Sequence, residues 1–359
     1  MSATARVPDD PRRPAHRVDA SRVWALLIGI NVYYSSSDCS PLRGCVNDVQ
    51  TMVEFLVHDL GMSEGHIKCL LSSSSDIQNP FTGTEERRVD VDSPIHKHII
   101  DTLLSLSTKP EIQYGDNIII YFAGHGSSYK CSDYYLEGGT SGEGYIDALC
   151  PMDRTSSSST DYSILDISDR EINTILTELS LEKGPHITFI LDCCYSAGNT
   201  RGPTNVQHGA VPLPPSQTKN MLEEAHTRLR DLPKYHSVFD VGWKPDVSSH
   251  VALAACKDYQ TADEGPGTDD RWSGMFMQVL IEALKSDNLN EESTYADLIC
   301  ALKMPRKTTQ TPVVSGNARA RLWYQGEVQQ SARNNYRGLL WVYGCIALFM
   351  LFSLLGGLP

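Results

Sequence analysis

The sequence lacks the cysteine patterns of metal-binding and disulfide-linked domains. Its ten cysteines are scattered over 359 residues without a C-x-x-C pair, and no group of cysteines and histidines has zinc-ligand spacing. The first 22 residues also lack the apolar core of a secretory signal peptide. These absences favour a reducing compartment in which thiols stay free, so that one of them is available as a nucleophile.

An excess of positive charge is also missing. The chain carries 44 acidic and 31 basic residues, which gives a net charge of −13 at pH 7. A surface of this sign repels the phosphate backbone of DNA and RNA. We therefore expect no nucleic acid among the partners.

The two ends of the sequence differ in composition. Residues 1–22 are rich in Pro, Arg and Asp and are predicted to be disordered. Residues 338–359 contain no charge, and about 20 apolar residues suffice to cross a bilayer. Arg333 and Arg337 precede this run, as expected for a cytoplasmic flank. The pattern predicts a C-terminal transmembrane anchor that holds a cytosolic domain on an intracellular membrane; a buried C-terminal helix is the alternative.

Between these ends, apolar runs alternate with segments of helical periodicity. The runs at 23–30, 116–122, 187–194 and 250–256 read as buried strands, and helices are predicted at 45–60, from 93, from 168 and at 274–285. A strand pair near 312–315 and 318–323 closes the domain, whereas 199–248 reads as a linker without regular structure. The alternation predicts an α/β fold with a mainly parallel sheet flanked by helices.

Two of the predicted strands end in residues that suit covalent catalysis. His125 follows one strand between two glycines, and Cys194 closes the strand ITFILDCC. Functional groups collect at the carboxyl ends of parallel strands, and a thiol nucleophile needs a nearby base. The alternatives are a glycine-rich turn for His125 and a small core residue for Cys194. Cys193 is expected to point to the opposite face of the strand, into the core.

Five motifs give the sequence a resemblance to a known family. They are LIGIN at 27–31, LRGCVND at 42–48, YFAGHGS at 121–127, LCPMD at 149–153 and DCC at 192–194. In this order they resemble the metacaspases among the caspase-like cysteine peptidases, over residues 23–325. The resemblance implies a caspase-like three-layer sandwich, with a large part at 23–198 and a small part at 249–325.

The resemblance also implies the roles of individual residues. The family's nucleophile is the third residue of an Asp-x-Cys turn, which selects Cys194, with His125 as base and acid. The backbone N–H groups of Gly126 and Cys194 would form the oxyanion hole. Asp48 and Asp192 would line the S1 pocket, so polypeptides would be cleaved after Arg or Lys. Read without the family, Asp48 is an exposed helix acid and Asp192 a turn cap.

The sequence departs from the family pattern at two places. The family often has His followed by Ser-Gly after the nucleophile, whereas Tyr195 stands here and Ala197 is inserted. Many members bind calcium through four aspartates, of which only Asp153 and Asp169 have counterparts, and Ser168 takes the place of a third. Calcium needs six to eight oxygen ligands, so no cofactor is expected to be required and calcium binding should be weak or absent. Ser168 and Asp169 read better as the start of a capped helix.

Two other functions remain open. One is a caspase-like peptidase that cleaves after Asp and holds the acidic side chain with Arg43; an acid at position 192 opposes this, and caspases carry Q-A-C-x-G there. The other is a catalytically silent scaffold that keeps the fold and is tethered to a membrane.

Overall fold

A twisted, mainly parallel sheet forms the centre of the structure. The computed structural model describes residues 18–34, 37–72, 89–131, 144–155, 163–194, 210–257, 260–267 and 271–323. The strands are β1 (Val23–Gly29), β2 (Ile67–Leu71), β3 (Asp90–Asp92), β4 (Asn117–Lys130), β5 (Tyr145–Leu149), β6 (Ile167–Ser168), β7 (Ile187–Cys194), β8 (Val251–Ala254), β9 (Glu264–Pro266), β10 (Trp272–Gly274) and β11 (Val313–Gly316). The α-helices are α1 (Cys45–Glu54), α2 (His96–Thr108), α3 (Asp169–Lys183), α4 (Pro215–Leu229), α5 (Met275–Leu284) and α6 (Tyr295–Ala301). Short 3-10 turns lie at Ala20–Arg22 and Glu64–His66, and a π-helical turn at Phe55–Asp59 extends α1.

The strand order of the sheet is β11-β8-β7-β4-β1-β2-β3. Every neighbouring pair along this path is parallel except β11 and β8, which are antiparallel. β5 pairs antiparallel with the far end of β4, and β6 pairs with β5. β9 and β10 form a separate antiparallel pair.

Helices cover both faces of the sheet, as predicted. Alternate residues of β1 enter two separate cores: Val23, Ala25 and Leu27 pack with residues of α1, α5 and α6. Trp24, Leu26 and Ile28 pack with residues of α2 and α3 on the other face. Strands buried on both faces need apolar side chains at nearly every position, which explains the continuous apolar runs in the sequence. The caspase-like α/β sandwich is thereby confirmed.

β4 extends beyond its predicted end. The sequence places the strand boundary near Phe122 and His125 on a turn, but β4 continues to Lys130. The cause is β5, which pairs with this extension from Gly126 opposite Leu149 onwards. His125 therefore lies within a strand, only 7% exposed, and the prediction of a lightly covered turn is wrong.

The segment predicted as a linker contains a helix. α4 buries Met221, Leu222, Ala225 and Leu229, whose spacing follows one face of a helix. The prediction of a linker without regular structure is therefore wrong for this part of 199–248. Its glycines and prolines, concentrated before α4, obscure the periodicity of the helix. Residues 199–209 lie outside the described part of the chain.

The end of the domain also differs from the prediction. β11 forms where the first of two closing strands is expected. Residues 318–323 do not form the second strand and contribute only a bridge between Arg321 and Thr294. Thr294 instead caps the unpredicted helix α6, with Asp297 completing a capping box.

Most of the two predicted terminal segments falls outside the described residues. This holds for 1–17 of the predicted disordered lead and for all of 338–359, the predicted anchor. Within the residues that the structure describes, no helix is long and apolar enough to cross a membrane.

Candidate active site

The candidate nucleophile and base lie side by side in the central sheet. β4 and β7 are parallel neighbours, and their register sets His125 opposite Cys194. Adjacent strands are about 4.8 Å apart, so the two backbones are in direct contact. Cys193 is 3% exposed and packs into the core on the α2/α3 face, which confirms its predicted place. The Cys194 side chain and residues 195–209, including Tyr195 and Ala197, lie outside the described part.

His125 is held from its backbone by a buried tyrosine. The His125 N–H donates to Tyr33 Oη at 2.6 Å, and the two rings pack with centroids 5.2 Å apart. A Cβ on Gly124 would come within 2.9 Å of Tyr33 Oη. Glycine is therefore needed at this position for the tyrosine to reach His125.

A backbone carbonyl fixes the tautomer of the His125 ring. His125 Nε2 lies 2.7 Å from the carbonyl oxygen of Ser40. Because a carbonyl only accepts hydrogen bonds, Nε2 carries the proton of the neutral ring, and Nδ1 keeps its lone pair. Burial lowers the pKa of His125, so the ring is neutral at pH 7. A neutral imidazole with an unprotonated Nδ1 is a competent general base.

The predicted oxyanion donors lie on the same two strands. Gly126 follows His125 in β4, and its carbonyl accepts from Ala210 N–H at 3.2 Å. The Cys194 backbone closes β7. The geometry brings the two predicted donors to one end of the sheet, and their role stays a prediction.

The two predicted S1 acids meet at the start of α5. Asp48 projects from α1 and accepts from Ser273 Oγ at 2.5 Å and from Gly274 N–H at 3.0 Å. A Cβ built on Gly274 would lie 2.6 Å from Asp192 Oδ2 and 3.1 Å from Asp48 Oδ2. Tyr121 Oη donates to Asp192 Oδ2 at 3.4 Å. Asp48 is only 2% exposed, which excludes the alternative of a surface helix acid, and Asp192 lies in a strand rather than a turn.

Burial makes this acid pair hard to ionise. Desolvation raises the pKa of Asp48 to about 7, against hydrogen bonds from Ser273 and Gly274 that lower it. The pKa of Asp192 is raised well above its ordinary value, first by burial and then by the charge of Asp48. At neutral pH the pair therefore holds a proton, and a cationic group placed between the carboxylates would replace it.

A third acid near the pair was missed by sequence reasoning. Glu264 of β9 accepts from Arg43 N–H at 3.0 Å and from Gly44 N–H at 2.7 Å. Its charge contributes to the raised pKa of both Asp48 and Asp192. β9 is three residues long and has no hydrophobic period, so no local signal places Glu264 at the site.

Arg43 does not join the acid pair. Its guanidinium lies over the ring of Trp272, 4.7 Å from the centroid, in a cation–π contact. An Asp-specific pocket would need this cation beside Asp192, where two carboxylates stand instead.

The two aspartates considered as calcium ligands, Asp153 and Asp169, accept hydrogen bonds from separate backbone N–H groups. Asp153 Oδ1 accepts from His96 N–H at 2.8 Å, and Asp169 Oδ1 accepts from Arg170 N–H at 2.8 Å. Ser168 caps α3 by accepting from Glu171 N–H, which confirms the capping prediction. In the described ranges, no three carboxylate, His or Cys side chains are grouped to hold a metal ion. Whether calcium binds weakly or not at all stays a prediction.

Comparisons with known proteins show that the first half of this chain is similar to metacaspases. Residues 24–201 match the family model described as metacaspase, peptidase C14 domain. Metacaspase-6 of Arabidopsis thaliana is 32% identical over 174 residues, which cover 48% of this chain and 38% of the relative. Metacaspase-1 of Schizosaccharomyces pombe is 25% identical over 201 residues, which cover 56% of this chain and 39% of the relative. Metacaspase III c of Phaeodactylum tricornutum is 27% identical over 172 residues, which cover 48% of this chain and 42% of the relative. The chain thus spans less than half the length of these relatives.

A solved structure shares the fold. The crystal structure of a protein from Geobacter sulfurreducens superposes with a TM-score of 0.53 at 15% identity. The superposition covers 85% of this chain and 99% of that protein. The similarity extends the shared architecture beyond the region that the family model matches.

Proposed function

We propose that this protein is a cysteine endopeptidase, because residues 24–201 match the model of the metacaspase, peptidase C14 domain. The observation that carries the proposal is the register of β4 and β7, which sets His125 opposite Cys194. The Ser40 carbonyl adds to it by keeping the proton on Nε2, away from Nδ1. This is the arrangement that a thiol needs for activation by an adjacent base.

The reaction begins with proton transfer from the Cys194 thiol to His125 Nδ1. The resulting thiolate attacks the carbonyl carbon of the scissile peptide bond, and the N–H groups of Gly126 and Cys194 stabilise the oxyanion. His125 then donates its proton to the leaving amine, and water hydrolyses the thioester with His125 again as base. The Ser40 carbonyl accepts from Nε2–H throughout and stabilises the imidazolium form.

Cleavage is proposed to follow Arg or Lys. Asp48 and Asp192 supply two buried carboxylates, and a substrate guanidinium would satisfy both through paired N–H bonds. Glu264 adds negative charge beside them. Two buried acids repel an Asp side chain, which disfavours the caspase-like alternative. A silent scaffold is the second candidate, because Tyr195 departs from the family pattern directly after the nucleophile.

A peptide library separates these functions. Purified protein is incubated with peptides that differ only in Arg, Lys or Asp before the scissile bond, with and without calcium. The proposal expects cleavage after Arg and Lys and none after Asp. Preference for Asp would overturn the pocket assignment. A thiol-directed peptidyl probe that fails to label Cys194, together with no cleavage of any peptide, would favour the scaffold.

Gly274 offers a sharper test of the pocket. Gly274→Ala places a methyl group 2.6 Å from Asp192 Oδ2, although the backbone at this position, with φ −61° and ψ 134°, suits any residue. We expect a loss of kcat/KM on Arg peptides of roughly a hundredfold, because the methyl group occupies the space between the carboxylates. Gly265→Ala is the matched control, since a Cβ there meets nothing within 4 Å. Equal activities of the two variants would contradict the assignment.

The location is a further part of the proposal. Residues 338–359 would insert as a helix that satisfies its own backbone hydrogen bonds. The peptidase domain would then stay in the cytosol, where its thiols remain reduced.

A further inference from the structure

Two cysteines outside the proposed catalytic pair, Cys39 and Cys150, lie near His125. Cys150 follows β5 and is fully buried, whereas Cys39 is half-buried in the segment between β1 and α1. Cys39 packs against the core cluster that contains Cys150, and a side-chain hydrogen bond links the two thiols. Neither residue belongs to the proposed catalytic machinery.

The surroundings of the pair favour a thiolate on Cys39. Arg154 Nη1 lies 3.7 Å from Cys39 Sγ. The hydrogen bond from Cys150 and then the charge of Arg154 lower the pKa of Cys39 to about 7, against the effect of burial. Burial raises the pKa of Cys45, Cys69 and Cys131 instead. A half-buried thiolate beside a guanidinium and a second thiol is the arrangement of oxidation-sensitive cysteines.

Both cysteines are connected to the backbone or ring of His125. The Cys150 N–H donates to the His125 carbonyl at 3.0 Å. Cys39 directly precedes Ser40 in the chain, and the Ser40 carbonyl oxygen accepts a hydrogen bond from His125 Nε2 at 2.7 Å. A covalent change at this cysteine pair is therefore one residue away from the contact that sets the His125 tautomer.

We propose that Cys39 and Cys150 form a reversible disulfide in the presence of a hydroperoxide, and that this disulfide lowers the peptidase activity by moving Ser40. Disulfide formation itself is independent of the proposed function, whereas its effect on activity rests on it.

The chemistry is a two-electron oxidation of two thiols. The Cys39 thiolate attacks one oxygen of hydrogen peroxide, the O–O bond breaks, and hydroxide leaves to give a sulfenic acid. The Cys150 sulfur then attacks the Cys39 sulfur, the S–O bond breaks, and the departing hydroxide takes up a proton as water. Two thiols and one hydrogen peroxide thus give one disulfide and two waters, and a dithiol such as dithiothreitol reverses the change.

Closing the disulfide requires movement, and the movement falls on Cys39. An S–S bond is about 2.0 Å long, much shorter than a hydrogen-bonded contact between sulfurs. Cys150 is fully buried and fixed by its bond to the His125 carbonyl, whereas Cys39 lies in an irregular segment beside exposed Ser40. The carbonyl of Ser40 is therefore drawn away from Nε2, and the ring loses the acceptor that keeps Nδ1 unprotonated.

The first experiment tests the disulfide without using peptidase activity. Full-length Cys194→Ala protein is titrated with hydrogen peroxide, quenched with catalase, alkylated and mapped by mass spectrometry without reduction. We expect a Cys39–Cys150 cross-linked peptide to form before the exposed Cys300 is oxidised. Oxidation of Cys300 without the cross-link would overturn the proposal, whatever the protein cleaves.

The second experiment tests the effect on activity. Wild-type protein is oxidised while a peptidyl arginine aldehyde blocks the catalytic thiol, and activity is measured after the aldehyde is dialysed away. We expect a loss of roughly tenfold that dithiothreitol restores, since small displacements of catalytic groups cost this much or more. Cys39→Ser should be insensitive to peroxide, and Cys300→Ser should respond like wild type.

Two outcomes would contradict the link to activity. One is a cross-linked protein with full activity; the other is a Cys39→Ser variant that loses as much activity as wild type. Cys150→Ala serves as a second variant if Cys39→Ser does not fold. If reduced wild type cleaves no peptide but the cross-link forms, the proposed function fails and the disulfide stands.

Discussion

Asp192 is the residue at which stability and activity are expected to respond in opposite directions. Asp192→Asn removes one charge from the buried pair while keeping the shape of the side chain. The amide oxygen can still accept from the Met277 and Tyr121 groups that bind the carboxylate. The change therefore isolates the repulsion and desolvation of the pair from its packing.

The sign follows from proton linkage. An Asp in the unfolded chain ionises near pH 3.9, whereas both acids of the pair have a raised pKa in the folded protein. Between these values the native state binds more protons than the unfolded state, so the free energy of unfolding falls as pH rises. The loss in the free energy of unfolding is absent below about pH 4 and is largest at pH values above the pKa of the pair in the folded protein.

The size of the effect can be bounded. The pKa of Asp48 is raised to about 7, about three units above that of an Asp in the unfolded chain. When such a carboxyl is fully ionised in the folded state, it lowers the free energy of unfolding by about 4 kcal/mol. Structural relaxation reduces this bound, and we expect Asp192→Asn to gain roughly 2 kcal/mol at pH 8. With an unfolding entropy of about 2.1 cal/mol/K per residue over about 300 residues, that is a rise in Tm of about 3 °C.

The assay is thermal unfolding between pH 5 and pH 8. This range of roughly three units spans the raised pKa of Asp48. Wild type should lose stability as pH rises, while the gain of Asp192→Asn should grow over the same range. Asp287→Asn, an exposed acid, is the matched control and should change little. The same Asp192 variant should lose about a hundredfold in kcat/KM on Arg peptides, because a substrate cation would lose one of its two carboxylates. A lower Tm of Asp192→Asn at pH 8 would refute the reasoning.

The remaining predictions concern the catalytic pair, its support and the tail. Cys194→Ala should abolish peptide cleavage while Cys193→Ala retains most of it, and loss of activity only in the second variant would shift the nucleophile by one residue. His125→Ala should cost as much as losing the thiol, because the two act as a unit; kcat measured with one Arg peptide decides this. Tyr33→Phe leaves the buried His125 N–H without its acceptor, so both Tm and kcat should fall, and unchanged values would exclude a positioning role. A chain cut to residues 1–337 should stay active and soluble while the full chain resists carbonate extraction from membranes; release of the full chain by carbonate would contradict the anchor.

The central strands could be predicted because their burial leaves a direct mark on the sequence. β1, β4 and β7 are covered on both faces, so their side chains are apolar at successive positions rather than alternate ones. Parallel order then brings their carboxyl ends to one edge, and this rule alone suggested that His125 and Cys194 meet. The register of β4 and β7 agrees with that expectation.

The supports of the site could not be predicted, because they are tertiary contacts without a local pattern. Ser40 acts through its backbone carbonyl, which any residue would supply. Tyr33 reaches His125 from the segment after β1, and nothing in its neighbours distinguishes it from a core aromatic. Glu264 lies in a short strand whose position is set by its pairing with β10. Only the three-dimensional path of the chain assembles these residues.

The acid pair shows why the sequence pattern is weakest where chemistry is concentrated. Buried carboxylates oppose folding unless they are paired with a cation, and within the described residues the contacts of Asp48 and Asp192 are with hydroxyl and backbone N–H groups. A fold selected for stability alone would replace one acid by an apolar residue of similar volume. A substrate cation would remove the repulsion between the two carboxylates and supply the missing partner. If an Arg or Lys side chain enters between the two acids, as proposed, the same destabilising arrangement becomes the source of specificity.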